Sequence, residues 1–171
     1  MQNNSDNPVY TIGVDLGGTT TSFAIVDSLG NIIEKGLIPT RTDYVEQWAD
    51  NLCAGIKNII ECSGIGDNIK GIGIGAPCAN ASTGYIEAAT DLPWKSPIPL
   101  ASMIESRLGY RTVITNDANA AAIGEMTYGS AIGLKNFIVL TLGTGVGSGI
   151  VCDGPVSYTH LRAHETDSYL V

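Results

Sequence analysis

The chain has 171 residues, 44% of them hydrophobic and 15% charged, with a formal net charge of −8. That length gives one domain or one lobe of something larger, and the apolar share is enough for a packed core, which excludes a disordered chain. Nine scattered Lys and Arg residues form no basic patch, so neither nucleic acid nor an anionic membrane is an expected partner, although backbone amides and a metal ion can still hold a phosphate. The opening MQNNSDNPVY lacks the cationic-then-apolar order of a secretory signal, and no apolar run reaches bilayer length. A cytoplasmic protein is expected. Cys53, Cys62, Cys78 and Cys152 contain no C-x-x-C pair and read as buried thiols in a reducing compartment.

In chain order, a polar stretch over 1–9, expected to be a disordered N-terminus, precedes a strand from Val9 to Leu16. Gly17-Gly18 turns the chain into a second strand, Thr20 to Val26, and Ser28-Leu29-Gly30-Asn31 turns it into a third, Ile32 to Ile38. These three predict an antiparallel meander. Asp43, with Glu46 three residues on, reads as a capping box opening a helix. Val45, Trp48, Ala49, Leu52, Cys53, Ile56, Ile59 and Ile60 form its apolar stripe, and it ends at Ser63-Gly64. KGIGIG, Lys70 to Gly75, predicts a strand covered on both faces. DLPWKSPIP leads into a helix from Leu100 to Leu108, stopped by Gly109. A strand from Arg111 to Thr115, an alanine-rich helix from Asn116 to Met126, and strands at Phe137–Leu142 and Ser148–Cys152 follow. The order predicts an α/β fold, a mixed sheet of three antiparallel strands followed by crossover helices. The lobe is expected over 10–129, with a second lobe only begun over 130–155.

IGVDLGGTTTSFAIVD, Ile12 to Asp27, aligns without a gap on IVLTLGTGVGSGIVCD, Ile138 to Asp153. Leu16 meets Leu142, Gly17 meets Gly143 and Ser22 meets Ser148. Shared turn chemistry alone could produce this. A duplicated lobe is the second reading, with two glycine hairpins offering backbone amides and Thr hydroxyls to one polyphosphate. Asp15 precedes the first turn where Thr141 precedes the second, which adds one carboxylate suited to Mg²⁺. No G-x-x-x-x-G-K-[ST] occurs, and GIGIGA runs into Pro77 rather than a helix, so it is not a dinucleotide site.

TNDANAAAIGE, Thr115 to Glu125, lies where a strand gives way to a helix. Asn116 or Asp117 could simply cap that helix. Alternatively Asp117 is a general base beside a hydroxyl that Asn116 orients, at the carboxyl end of a strand where α/β sheets bind ligands.

VDLGGTTTSFAIVD, TNDANAAAIGE and LTLGTGVGSGIV together resemble the sugar-kinase branch of the ROK family, the bacterial glucokinases and their relatives. GIGIGAP and TGYIEAATDLPWKSPIPL are similar to the family's sugar-side loop. The resemblance implies an actin-like ATPase (ribonuclease H-like) fold and ATP-dependent phosphorylation of a hexose, glucose above all, at its 6-hydroxyl. It implies phosphate binding by Asp15, Gly17, Gly18 and Thr19 and by Gly143, Thr144 and Gly145, and Mg²⁺ held by Asp15 through water. Asn116 would bind the sugar and Asp117 would take the proton. Asp91 and Asn80 would also contact substrate; at Asp91 relatives often carry Asn, and the loop Cys78-Ala79-Asn80 lacks a glycine that many have. A homo-oligomer, dimer or tetramer, is implied as well. The competing class is a non-catalytic nucleotide switch or a sugar-sensing ROK regulator. A regulator would carry a helix-turn-helix ahead of the first strand, where this chain has about ten polar residues.

Both histidines, His160 and His164, lie in the closing GPVSYTHLRAHETDSYLV. Spaced by four on a helix they could offer two metal ligands, but no carboxylate or cysteine supports them. VSYTHLRAHET matches the translation of a transposase-type sequencing adapter, so 156–171 is expected to be a non-native, disordered tail. In the family the chain instead continues to an E-x-G-H element that contacts sugar and, in many members, a zinc cluster. Structural Zn²⁺ would belong to that part, and the chain alone is expected to be inactive.

Overall fold

The structure is a computed structural model that describes residues 8–66, 68–142 and 146–157. By packing, the chain divides into two compact units, Met1–Asn116 and Asp117–Val171.

In the first unit, branched residues alternating with small or polar ones build β1 (Tyr10–Leu16), β2 (Thr20–Asp27) and β3 (Ile32–Pro39) as the expected antiparallel meander. Helix α1 (Val45–Ser63) leads to β4 (Ile69–Gly75), and two short strands, β5 (Ala79–Asn80) and β6 (Tyr85–Ile86), precede α2 (Leu100–Leu108) and β7 (Thr112–Thr115). The sheet order is β3-β2-β1-β4-β7, with β4 parallel to both β1 and β7. Gly64 and Gly109 end α1 and α2 in the left-handed region, at φ 67° and 75°, where a Cβ would be costly.

One face of this sheet carries the core. Ile12, Val14, Leu16, Ile25, Ile72, Ile74 and Ile114 bury against Trp48, Leu52 and Ile56 of α1 and Leu100 and Ile104 of α2. Phe23 fills a slot between β3 and α1, because a Cβ on Gly36 or on Gly55 would run into its ring. That fit explains a mid-helix glycine at 55, which costs about 1 kcal/mol relative to alanine. The opposite face leaves Thr11, Gly13, Asp15, Gly73 and Val113 exposed. The expected burial of β4 on both faces is therefore corrected: Ile72 and Ile74 point inward while Gly73 lies open.

The capping box is also corrected. The residue preceding α1 is Tyr44, in an extended conformation and without a side-chain cap bond. With the helix starting at Val45, Glu46 sits one position too early to reach back. The thiols differ as well. Cys53 is buried on the inner face of α1, whereas Cys62, Cys78 and Cys152 are exposed, lying on the outer face of α1, in a loop and just beyond a strand end.

The second unit contains α3 (Asp117–Tyr128), β8 (Phe137–Leu142) and β9 (Val146–Val151). Helix α3 lies close on β9: a Cβ on Gly149 would meet the carbonyl of Ala118, and Ala122 Cβ at 2.7 Å. Alanines facing glycines thus set the spacing. By packing, α3 groups with this hairpin, whereas the sequence reading closes the first lobe at 129. Val156 is buried beside Val151, and the Ser157 amide donates to Ile150 O at 2.7 Å. The tail expected from Val156 is thus corrected at its start; 158–171, with both histidines, lies outside the described residues.

The two aligned hairpins do not share a register. Leu16 pairs with Thr21, whereas Leu142 pairs with Val146 rather than with Gly147, its aligned equivalent. A slip of one residue turns side chains to the other face. Accordingly Ile12, Val14 and Leu16 are buried, and Ile138, Leu140 and Leu142 are exposed.

Burial pushes the Cys53 thiol pKa up, so its thiolate is scarce at neutral pH. A thiol reagent is expected to modify Cys62, Cys78 and Cys152 rapidly in the folded protein, and Cys53 only after denaturant is added. Rapid modification of Cys53 in the native state, followed by peptide mass mapping, would contradict the packing of α1.

Candidate functional site

The turn between β1 and β2 is held from beneath. Thr21 and Thr40 are fully buried, with hydroxyls 2.8 Å apart. Thr40 Oγ1 donates to Gly17 O at 2.7 Å, and Trp48 Nε1 donates to Thr21 Oγ1 at 3.0 Å. A hydroxyl has one proton, and Thr40 gives its own to Gly17, so Thr21 must be the donor to Thr40. The result is a one-way chain from the indole through two hydroxyls to the turn carbonyl, in which each bond polarises the next. Main-chain bonds from Thr40 N to Thr19 O and from Gly17 N to Thr20 O complete the turn.

The turn also abuts the loop after β6. A Cβ on Gly18 would stand 2.9 Å from Asp91 O, so only glycine fits there without displacing the loop. Three residues on, Trp94 packs its ring 5.2 Å from that of Trp48 and donates from Nε1 to Thr42 O at 3.2 Å. The glycine turn and the DLPW segment are thereby fixed to the same pair of indoles. Asp91 itself is exposed.

Asp15 lies at the carboxyl end of β1, exposed, paired with Gly75 of β4, which is paired in turn with Thr115 of β7. The three form one row on the sheet face opposite the core. Asn116 follows directly and ends the first unit. Asp117 opens α3, exposed, and its Oδ1 accepts the Ala118 amide at 2.8 Å. A carboxylate in the first turn also suits the helix dipole. The capping alternative thus accounts for part of what Asp117 does.

Asn80 is engaged locally. Its Nδ2 donates to Glu87 Oε1 at 2.7 Å and its Oδ1 accepts the Ser82 amide at 2.9 Å, which closes the turn between β5 and β6. Cys78, in the loop Cys78-Ala79-Asn80 that lacks a glycine many relatives have, has φ 53°, a left-handed conformation that disfavours any side chain. Gly143, Thr144 and Gly145 lie outside the described residues.

Sequence reasoning missed Thr21, Thr40, Trp48 and Trp94 as site-building residues. One signal was available: Thr21 occupies an inward position of β2, in step with Phe23 and Ile25, and a buried hydroxyl needs a partner. Glu125, at the end of the TNDANAAAIGE segment, lies in α3. Its Oε2 accepts from the Ser130 hydroxyl and amide at 2.8 and 2.9 Å, and these bonds hold its pKa below the usual value while fixing the end of α3.

With this geometry the chain can be placed among known proteins. The fold is α/β with a mixed sheet, of the actin-like ATPase type found in its structural neighbours. The ROK family model matches residues 11–159, and the chain belongs to the ROK family. It is 36% identical over 151 residues to a glucokinase of Streptomyces coelicolor, an alignment covering 88% of this chain and 46% of that protein. It superposes with a TM-score of 0.76 on a ROK family glucokinase from Streptomyces griseus in complex with glucose and AMPPNP, at 34% identity, covering 86% of this chain and 46% of the other. It is also 32% identical over 143 residues to a putative xylose repressor from a Caldicellulosiruptor species, covering 82% of this chain and 36% of that one. The chain spans about half, or less, of the length of these relatives.

Replacing Thr40 by Val removes the hydroxyl bonded to the Gly17 carbonyl and the acceptor of the Thr21 proton, while Thr21 Oγ1 keeps its bond from Trp48. Urea unfolding is expected to show a loss of about 2–3 kcal/mol, with Thr40→Ser losing under about 1 kcal/mol. A larger loss for Thr40→Ser than for Thr40→Val would mean that the methyl group, not the hydroxyl, matters. Cys78→Gly relieves the left-handed side chain and should stabilise by roughly 0.5–1 kcal/mol after the entropy of glycine is subtracted. A destabilised variant would show that the Cys78 side chain contributes more than its backbone costs.

Proposed function

We propose that the protein carrying this chain transfers the terminal phosphoryl group of ATP to the 6-hydroxyl of a hexose, glucose first among them. The observation that carries the reading is the exposed Asp117 carboxylate, next in sequence to Asn116 at the carboxyl end of β7, in a chain similar to glucokinases. Asn116 would orient the sugar. As the sugar oxygen bonds to phosphorus and the bond to the departing ADP oxygen breaks, the hydroxyl proton would pass to the Asp117 carboxylate.

The amide of Gly17 is taken by Thr20 O, so in the first turn the phosphate contacts fall to Gly18 and Thr19. Gly143, Thr144 and Gly145 would form the second phosphate element. Asp91, set against Gly18, would reach the sugar by its side chain, and Asn80 would act by shaping the loop beside it. The residues fit magnesium of a particular kind. Among the described residues no three His, Cys, Asp or Glu side chains gather into a metal cage, and Asp15 alone offers a carboxylate at the strand end. Mg²⁺ keeps its waters and takes phosphate oxygens readily, so Asp15 would hold it through water, and when bound it neutralises phosphate charge. The lobe assignment, 10–129 and 130–155, and a cytoplasmic homo-oligomer belong to the same proposal. No described helix is long and apolar enough to cross a membrane.

The likeness to a putative xylose repressor favours a second reading, a regulator that binds sugar without turnover. In the full-length protein, Asp117→Asn is expected to lower kcat at least about a thousandfold while glucose affinity changes less than about threefold, measured by a coupled ADP assay and by calorimetry. Retained turnover would remove Asp117 as the base. Glucose binding with no phosphorylation by the unaltered protein would favour the regulator.

A further inference from the structure

We propose that Arg41 is a further phosphate-binding residue, whose guanidinium grips the polyphosphate that the glycine turn receives on the amides of Gly18 and Thr19. The proposal rests on the kinase reading above and extends it to a residue outside the glycine motifs. Thr40, buried beneath the turn, donates from its amide to Thr19 O at 2.9 Å and from its hydroxyl to Gly17 O at 2.7 Å. Arg41 is the next residue, so its main chain is tied to the turn through Thr40. The Thr40 side chain is turned into the core, whereas Arg41 is exposed. Among the described residues the Arg41 side chain has no ion pair and no hydrogen bond.

The charge around the turn gives such a group its use. Asp15 lies just before the turn and Asp91 abuts Gly18, both are exposed, and the chain as a whole carries −8. The Gly17 amide is already bonded to Thr20 O, which leaves few neutral donors for an anion. A polyphosphate arriving there meets like charge, and a fixed cation beside the amides offsets that repulsion. Arginine suits the task, because its planar fork donates two parallel bonds to phosphate oxygens and keeps its charge at any ordinary pH. With no carboxylate partner of its own, it surrenders no ion pair when phosphate arrives. Of the nine Lys and Arg residues, Arg41 is the one that, among the described residues, adjoins a residue hydrogen-bonded to the turn.

The test uses the whole chain and tripolyphosphate as the probe at constant Mg²⁺, with affinity read by calorimetry and stability by thermal melting. Arg41→Gln is expected to weaken binding about tenfold, and Arg41→Lys, which keeps the charge but not the fork, by less. Lys70→Gln is the control: it removes the same charge at the amino end of β4, the other end of the sheet, and should change affinity less than about twofold. The Tm of all three should stay that of the unaltered chain, since exposed side chains are replaced. If Arg41→Gln binds as the unaltered chain does, Arg41 has no part in the site and the kinase reading stands. If Arg41→Gln and Lys70→Gln weaken binding equally, the effect is one of net charge and the proposal fails. If Arg41→Gln loses affinity together with Tm, and Arg41→Lys restores neither, Arg41 belongs to the fold and the proposal fails. If the unaltered chain shows no saturable binding of tripolyphosphate, this proposal and the phosphate role of the turn are overturned together.

Discussion

Three hydrogen bonds in series, two of them buried and the last half-buried, run from Trp48 through Thr21 and Thr40 to the carbonyl of Gly17 and are the constraint on which the first hairpin depends. A glycine turn has no side chain of its own to hold it in place, and its main-chain freedom is costly to restrain. Here the restraint comes from below, out of the core, and leaves the upper side of the turn unencumbered. Because both threonine hydroxyls are buried, losing either one leaves its neighbour short of a bond. The same indole also meets Trp94, so the loop carrying Asp91 is referred to the same anchor as the turn it touches. Position and rigidity of the turn therefore come from α1, through Trp48.

Close approach is the second theme. Gly18 yields room to the Asp91 carbonyl, Gly36 and Gly55 to the Phe23 ring, and Gly149 to Ala118 and Ala122. None of these four is in the left-handed region. Their reason is space, and it is visible only once the neighbour is known. Gly64 and Gly109 are of the other kind, needed for their backbone angle, and that kind can be read from position alone at the end of an amphipathic run.

This distinction explains what was legible. The meander, the stripe of α1, the two helix-ending glycines and the parallel strands at β4 and β7 followed from periodicity and turn chemistry, which are local. The capping box at Asp43 failed because a shift of the helix cap by one residue, to Tyr44, breaks a fixed spacing. The burial of β4 failed because Gly-Ile alternation reads equally as a strand covered on one face. The alignment of the two hairpins is real in letters, yet their pairing differs by one residue, and register is set by the turn and by what each face packs against. Of the candidate site, Asp15, Gly17, Gly18 and Asp117 were legible as motif residues. The hydroxyls beneath them were not, since Thr21 and Thr40 look like ordinary threonines until their partners are seen.

The central claim is that the anchored turn at Gly17 to Thr19 exists to receive phosphate. It can be tested directly by titrating the ¹⁵N-labelled chain with Mg²⁺ and tripolyphosphate and following backbone amide shifts. The account predicts the largest saturable shifts at Gly18 and Thr19, with Gly17 moving less because its amide is already bonded. Shifts elsewhere with these two amides unmoved, or no saturable shift at all, would contradict it.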